Sequence, residues 1–87
     1  MASYSLLIKR SAVRELEAVE PRSLRVKLVS RIQGLASNPR PAGSQKLAGA
    51  DHRYRLRQGA YRIVYSVDDS TLVVVVVKIG HRGDVYR

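Results

Sequence analysis

The second half of the chain contains three strand-like segments that are separated by two very short linkers. The segments cover residues 53–57, 61–67 and 71–79, and the linkers are Gln58-Gly59-Ala60 and Asp68-Asp69-Ser70. Linkers of this length join neighbouring strands as hairpins, so the strands they connect run antiparallel. We therefore predict a three-stranded antiparallel meander over residues 53–79.

The first half of the chain predicts one strand followed by two helices. Residues 3–9 are rich in apolar and aromatic side chains and predict a strand. Ser11 is a suitable N-cap for a first helix, and Pro21 suits the first turn of a second helix that extends to about residue 36. The apolar side chains at helical spacing are Val13, Leu16 and Val19 in the first helix and Leu24, Leu28, Ile32 and Leu35 in the second.

This order of elements, β-α-α-β-β-β, predicts an α+β fold with a helical hairpin packed on one face of a sheet. A chain of 87 residues suits one domain, so we expect residues 1–87 to form a single domain. Residues 72–77 are apolar without alternation, which favours a central strand buried on both faces. The sheet face away from the helices is where we expect the functional residues.

Four arginines lie within ten residues of the predicted meander: Arg53, Arg55, Arg57 and Arg62. Side chains alternate between the two faces of a strand, so the first three lie on the same face. Neighbouring guanidinium groups repel one another and do not stabilise a sheet by themselves. We therefore expect an anion to lie across the row, and a phosphodiester backbone is the anion that best fits it.

The net charge of the chain agrees with a polyanionic partner. There are 16 Lys and Arg residues against 7 Asp and Glu, which gives a formal charge of +9 at pH 7. The positive charge is spread over both halves of the sequence, so it does not belong to a tail. Such an excess indicates nucleic acid or an acidic protein as the partner, although a basic surface that serves only solubility is the alternative.

The composition also excludes several kinds of chemistry. The chain has no cysteine, so it has neither a disulfide framework nor a thiolate nucleophile, and it shows no clustered metal ligands. We therefore expect no metal and no cofactor. The apolar run at residues 4–8 is too short for a signal peptide and the run at 72–77 is too short to span a bilayer. These features lead us to expect a cytoplasmic protein without a membrane partner.

Three stretches of the sequence resemble a known family. They are Lys46-Leu47, the hairpin Tyr54-Arg55-Leu56-Arg57…Tyr61-Arg62-Ile63-Val64-Tyr65, and the ending Ile79-Gly80-His81-Arg82…Val85-Tyr86. Together with the order of elements, they resemble the RelE/ParE superfamily of type II toxin–antitoxin toxins over essentially the whole chain. RelE-like members cleave messenger RNA in the ribosomal A site, whereas ParE-like members share the fold and poison DNA gyrase.

The resemblance implies a metal-independent endoribonuclease in which the 2′-hydroxyl of the RNA is the nucleophile. Arg62 matches the hairpin arginine and is expected to bind the scissile phosphate, and Arg82 is expected to polarise that phosphate or the leaving oxygen. Tyr86 resembles the terminal catalytic tyrosine, at a slightly shorter distance from Arg82 than in the best-known RelE sequences. It could act as a base, stack on a nucleobase, or anchor the C-terminal segment.

The identity of the general base remains open. Arg53 and Arg55 occupy positions where the best-known RelE sequences carry lysines, and a guanidinium cannot realistically serve as a base. We expect Arg53, Arg55, Arg57 and Lys46 to contact RNA phosphates. His81 is the remaining candidate acid or base, because imidazole titrates near neutral pH, and a structural role is its alternative.

The resemblance also implies the partners. A RelE-like toxin is held inactive by an antitoxin whose extended segment wraps around it, so we expect a toxin–antitoxin hetero-oligomer with an acidic antitoxin segment. The active toxin would meet mRNA and the 16S rRNA of the ribosome. Two other functions stay possible from the sequence: a ParE-like gyrase inhibitor without nuclease activity, and a degenerate toxin that binds its antitoxin only.

Overall fold

A mixed five-stranded sheet, with strand order β1-β5-β4-β3-β2, is the frame of the molecule. The computed structural model describes residues 3–49 and 51–81. Within them the elements are β1 (Ser5–Ile8), α1 (Arg10–Glu17), α2 (Arg22–Gly34), β2 (Gln45–Lys46), β3 (Arg53–Gln58), β4 (Tyr61–Asp68) and β5 (Val73–His81). The predicted α+β class and the order of its main elements are confirmed.

The two hairpins of the meander form as the short linkers predict. Strands β3 and β4 pair antiparallel with Arg57 opposite Arg62, and Gly59 at their turn has a φ of 59°, which glycine adopts without strain. Strands β4 and β5 also pair antiparallel. Their turn is held by the carboxylate of Asp68, whose Oδ1 accepts hydrogen bonds from the hydroxyl of Ser70 at 2.6 Å and from the backbone N–H of Thr71 at 3.2 Å.

Two strand pairings in the sheet were not predicted from the sequence. Strand β1 pairs parallel with β5, with Ser5 opposite Val73 and Ile8 opposite Val76, so the first strand lies beside the last described strand. Strand β2 is only two residues long and pairs with β3 at Tyr54 and Arg55. Both pairings join segments that are distant or short, and neither carries a local sequence signal.

The helical hairpin covers one face of the sheet, which we call the inner face. Buried helix residues are Ala12 and Leu16 from α1 and Leu28 and Ile32 from α2. They pack against inner-face strand residues, namely Leu56, Ile63, Tyr65, Val67, Val74, Val76 and Ile79. The predicted stripe of α2 is confirmed, because Leu28, Ile32 and the following Leu35 are buried and Leu24 packs against the core.

Three details of the prediction were wrong. Helix α1 begins at Arg10, after Lys9, so Ser11 lies inside the helix and is not its N-cap. Val13 is 37% exposed, because the buried side of α1 carries Ala12 in its place. Strand β5 alternates between buried and half-buried residues, and the central strand is β4, in which four consecutive residues are buried. A run of valines favours a strand without deciding which faces are covered.

Candidate nucleic-acid interface

The pairing of β3 with β4 brings the four arginines to the outer face of the sheet, opposite the helices. Residues directly across an antiparallel pair share a face, and the pairs here are Arg53 with Ser66, Arg55 with Val64, and Arg57 with Arg62. Their neighbours Leu56 and Ile63 point the other way into the core. We call Arg53, Arg55, Arg57 and Arg62 the arginine face.

An open groove of about 500 Å³ lies at one end of this face. It is lined by Gln45, Lys46, Leu47, Ala48, Arg55, Arg57 and Arg62. Four of these seven residues are cationic and none of them is acidic, so the groove favours a ligand with more than one negative charge. Guanidinium groups can bind two oxygens of a phosphate at once, which makes phosphate esters the best chemical match.

Arg62 is the deepest of the four arginines. It lies on the central strand, between Arg57 on β3 and Gly80 on β5, and only 9% of its surface is exposed. Among the described residues it is the one charged residue in the buried class. A charge in this position on an open basic groove is typical of a ligand-binding residue.

Strand β2 forms the rim of the groove and orients Arg55. Gln45 lies directly across from Arg55, and Nη2 of Arg55 donates a hydrogen bond to Oε1 of Gln45. The backbone N–H of Leu47 donates to the carbonyl oxygen of Arg53 at 2.8 Å and closes this short ladder. Lys46 pairs with Tyr54, a residue of the inner face, so it borders the groove from the sheet edge and does not stand in the arginine row.

Lys78 also lies on the outer face but is neutralised by α1. A register shift between Val64 and Tyr65 places Lys78 opposite Val64. Its Nζ forms an ion pair with Oε2 of Glu15 at 2.9 Å, while Oε1 of Glu15 accepts the backbone N–H of Ile79 at 2.9 Å. Glu15 thereby provides a hydrogen-bond acceptor for a backbone N–H of β5 at a point that β1 does not reach. The positive charge of the outer face is concentrated on β3 and β4 as a result.

The predicted site residue His81 does not line this groove. His81 pairs with Tyr61, and the two rings meet edge to face with centroids 5.4 Å apart. Tyr61 packs against the core, so His81 lies on the inner side of the sheet, away from the arginine face. Arg82 and Tyr86 lie outside the described residues, so their roles remain predictions.

A second polar cluster, on the inner side of the sheet, was missed by the sequence reasoning. Arg40 donates to both carboxylate oxygens of Asp69, at 3.1 and 2.7 Å, and through Nε to the hydroxyl of Tyr54 at 3.0 Å. The hydroxyl of Tyr4 donates to the same carboxylate at 2.7 Å. The position of Arg40 between Pro39 and Pro41 is a local sign of a rigid segment, although it does not reveal a partner 29 residues away.

Hydrogen bonds and burial change the pKa of several side chains in this cluster and in the turn after β4. Hydrogen bonds from Arg40 and Tyr4 lower the pKa of Asp69, and the hydrogen bond to Asp69 raises the pKa of Tyr4. Burial raises the pKa of Tyr65, whose hydroxyl donates to the carbonyl oxygen of Pro39 at 2.8 Å. In the turn after β4, the hydrogen bond from Ser70 is the largest of several that lower the pKa of Asp68 to about 2.

Two further properties of the described residues bear on function. Neither helix in this part of the chain is long and apolar enough to cross a membrane. Within residues 3–49 and 51–81, no three His, Cys, Asp or Glu side chains come together in the way that a metal ion would require.

Comparison with known proteins decides the family. The model of the ParE toxin of the type II toxin–antitoxin system parDE matches residues 6–86. The chain belongs to this toxin family. It is 31% identical over 87 residues to Toxin RelG of Mycobacterium tuberculosis, an alignment that covers 97% of each chain. The toxin is thus related to proteins that carry RelE-type names as well as to the ParE model.

Solved structures of the family share its fold. The toxin–antitoxin complex RelBE2 of M. tuberculosis contains a chain that superposes with a TM-score of 0.80 at 27% identity, with 97% of both chains covered. The archaeal RelE–RelB complex of Pyrococcus horikoshii gives a TM-score of 0.82 at 28% identity, covering 94% of this toxin and 98% of that chain. The RelE-like α+β fold predicted from the sequence is confirmed by these neighbours.

Proposed function

We propose that this toxin is a ribosome-dependent endoribonuclease that cleaves mRNA in the ribosomal A site without a metal ion. The observation that carries the proposal is the buried Arg62 at the base of a groove lined by cations and free of carboxylates. The RelE names of several relatives support the same activity. A site built on guanidinium groups suits a phosphodiester whose negative charge increases in the transition state.

In this mechanism the 2′-hydroxyl of the RNA attacks the adjacent phosphorus. The O2′–P bond forms as the P–O5′ bond breaks, which leaves a 2′,3′-cyclic phosphate and a 5′-hydroxyl. Arg62 stabilises the phosphorane-like transition state, and Arg57, directly across from it, binds the same or the neighbouring phosphate. Arg53 and Arg55 hold the backbone along β3, with Lys46 at the rim of the groove.

The proton transfers are assigned to the C-terminal motif. A base must accept the proton of the 2′-hydroxyl, and an acid must supply one to the departing 5′-oxygen. We assign the base to Tyr86, since a guanidinium group brought close to a phenol favours the phenolate form, and we assign polarisation of the leaving oxygen to Arg82. His81 is the alternative acid, and it would have to leave its contact with Tyr61 to reach the arginine face.

The partner that controls the toxin is proposed to be an antitoxin with an acidic segment. Neighbouring structures of the family are toxin–antitoxin complexes, and the arginine face offers a complementary surface to such a segment. We propose that the two proteins form an inactive hetero-oligomer in the cytoplasm. Affinity of the complex is expected to fall as salt increases, because exposed charge pairs are screened.

Induction of the toxin in cells, followed by primer extension on an abundant mRNA, tests the proposal. We expect cuts confined to translated frames, and a loss of about 10²- to 10³-fold in cleavage for Arg62→Ala, the size seen when one transition-state donor is removed. Arg25→Ala is the matched control, because Arg25 lies on α2, where it donates a hydrogen bond to the carbonyl oxygen of Glu17, and it is not part of the arginine face.

The second candidate is a ParE-like gyrase inhibitor, which the name of the matching family model favours. A gyrase supercoiling assay run in parallel separates the two functions. Intact mRNA together with inhibited gyrase would refute the nuclease and would make the arginine face a protein-binding surface. Tyr86→Phe adds a finer test, since it should reduce cleavage strongly and RNA binding little.

A further inference from the structure

The rim of the arginine groove is held by very little secondary structure. Strand β2 consists of Gln45 and Lys46 alone, and one further backbone hydrogen bond, from Leu47 to Arg53, extends its pairing with β3. Short strand pairs of this kind are only marginally stable by themselves. Because Gln45 also orients Arg55, the shape of the arginine face depends on whatever else keeps β2 in place.

The segment that precedes β2 is fastened at Arg40. Its guanidinium binds the carboxylate of Asp69 through two hydrogen bonds and donates a third to the hydroxyl of Tyr54. The guanidinium carbon also lies 5.1 Å from the centre of the Tyr54 ring, within reach of a cation–π contact. All these acceptors belong to the sheet or to the turn between β4 and β5, so Arg40 joins the connecting segment to the sheet.

Neighbouring contacts strengthen this attachment. The carbonyl oxygen of Pro39 accepts a hydrogen bond from the buried hydroxyl of Tyr65, and Tyr4 donates to the carboxylate that Arg40 binds. Tyr54 in turn lies directly across from Lys46 in the β2–β3 pair. A continuous set of contacts therefore runs from Asp69 through Arg40 and Tyr54 to the rim of the groove.

Arg40 cannot act by touching the substrate. It binds Tyr54, which alternates with Arg53 and Arg55 and so points to the inner side of the sheet. A stabilising role alone is also a weak explanation, because the side chains of Arg40 and Asp69 are 40% and 56% exposed, and ion pairs with this exposure contribute little to stability. The Arg40 guanidinium makes three hydrogen bonds from one planar group, so it holds the connecting segment rigidly against the sheet. We call this set of contacts the strut.

We propose that Arg40 is a positioning residue that, through Asp69 and Tyr54, holds β2 in the arrangement in which Gln45 and Arg55 bind the RNA backbone. The effect on RNA rests on the proposed function, whereas the effect on β2 does not. The two can therefore be measured separately.

Amide hydrogen exchange of the isolated toxin tests the strut directly. The reporter is the N–H of Leu47, which bonds to Arg53 at 2.8 Å, and the reference is the N–H of Val67, which bonds to His52 at 3.0 Å. We expect Arg40→Ala to accelerate exchange at Leu47 several-fold and at most about fivefold, the size expected for the loss of a half-exposed ion pair. Exchange at Val67 should stay as in the unmodified protein. Asp69→Asn attacks the same contact from the other side and should give the same selective effect.

RNA binding is the second readout, measured by fluorescence anisotropy with a short single-stranded RNA. Arg40→Ala should weaken binding several-fold, Arg40→Lys should restore only part of it because it lacks the planar fork, and Arg25→Ala should have no effect. Unchanged exchange at Leu47 in both variants, or equal acceleration at Val67, would overturn the strut. Selective exchange at Leu47 in a toxin that neither binds nor cleaves RNA would leave the strut intact and refute the proposed function alone.

Discussion

The arginine face makes a quantitative prediction about the salt dependence of RNA binding. It presents four guanidinium groups, from Arg53, Arg55, Arg57 and Arg62, on two adjacent strands. Each phosphate neutralised on single-stranded nucleic acid contributes a slope of roughly −0.7 to a plot of log K against log salt. If every arginine binds one phosphate, the arginine face contributes about 4 × −0.7, or about −2.8, to this slope.

Replacing Arg57 by Gln removes one of these contacts and keeps a polar side chain of similar length. The contribution of the arginine face to the slope should then become about 3 × −0.7, or about −2.1, and affinity at low salt should fall roughly tenfold for every RNA sequence tested. Arg57 is suited to this test because it is exposed, so its replacement leaves the core intact. The assay is a series of fluorescence anisotropy titrations with a short single-stranded RNA at increasing KCl concentrations.

Arg25→Gln is the matched control, since it removes the same charge from α2, on the other side of the sheet. Its slope should equal that of the unmodified toxin. An unchanged slope in Arg57→Gln would refute the reasoning, because the arginine face would then not be the surface that binds phosphates. If the slope changes equally in Arg57→Gln and Arg25→Gln, RNA binding depends on the net charge of the toxin and not on the arginine face.

Three further predictions concern the fold that supports this face. Tyr65→Phe deletes the buried hydrogen bond to Pro39 and should cost about 1.5 kcal/mol, seen as a Tm decrease of roughly 6–12 °C; an unchanged Tm would mean that the carbonyl oxygen finds another donor. Leu28→Ala empties a fully buried site and should cost about 2–5 kcal/mol in urea unfolding, while a smaller loss would indicate that the helices close over the cavity. The pKa of Asp68 is lowered to about 2, so its stabilising effect is complete above its ordinary pKa of 3.8 and is lost as pH falls towards 2. Asp68→Asn should make Tm depend less on pH between about 2 and 3.8. If Tm falls as steeply in the variant as in the unmodified toxin, other carboxyl groups cause the pH dependence.

Much of the fold was predictable because its signals are local. Two short turns fix antiparallel neighbours, and the alternation along β3 then places Arg53, Arg55 and Arg57 on one face without knowledge of the rest of the structure. The register of β3 against β4 adds Arg62 to the same face. Helix α2 was predictable for a similar reason, since its apolar residues recur at helical spacing.

The features that escaped prediction depend on contacts between distant parts of the chain. Strand β1 pairs with β5, more than sixty positions later, and Arg40 meets Asp69 across 29 positions. Strand β2 is too short to produce a periodic pattern. The positions of β1, β2 and Arg40 depend on which distant residues they pack against and bind. A single sequence does not reveal those partners. His81 lies on the face opposite Arg62 because it pairs with Tyr61, which alternates with Arg62 along β4, and the sequence does not reveal that pairing.

The parallel pairing of β1 with β5 has a consequence for how the toxin is made. Strand β1 precedes the other described strands in the chain, yet within the described residues it pairs only with β5, the last of them. Strand β4, which carries Arg62, likewise obtains one of its two neighbours only when β5 emerges. The described sheet therefore cannot be completed until β5 has left the ribosome, because β1 on one side and β4 on the other both pair with it. Until β5 is available, β1 can pair with no other described strand, and the edge of β4 that β5 covers stays open.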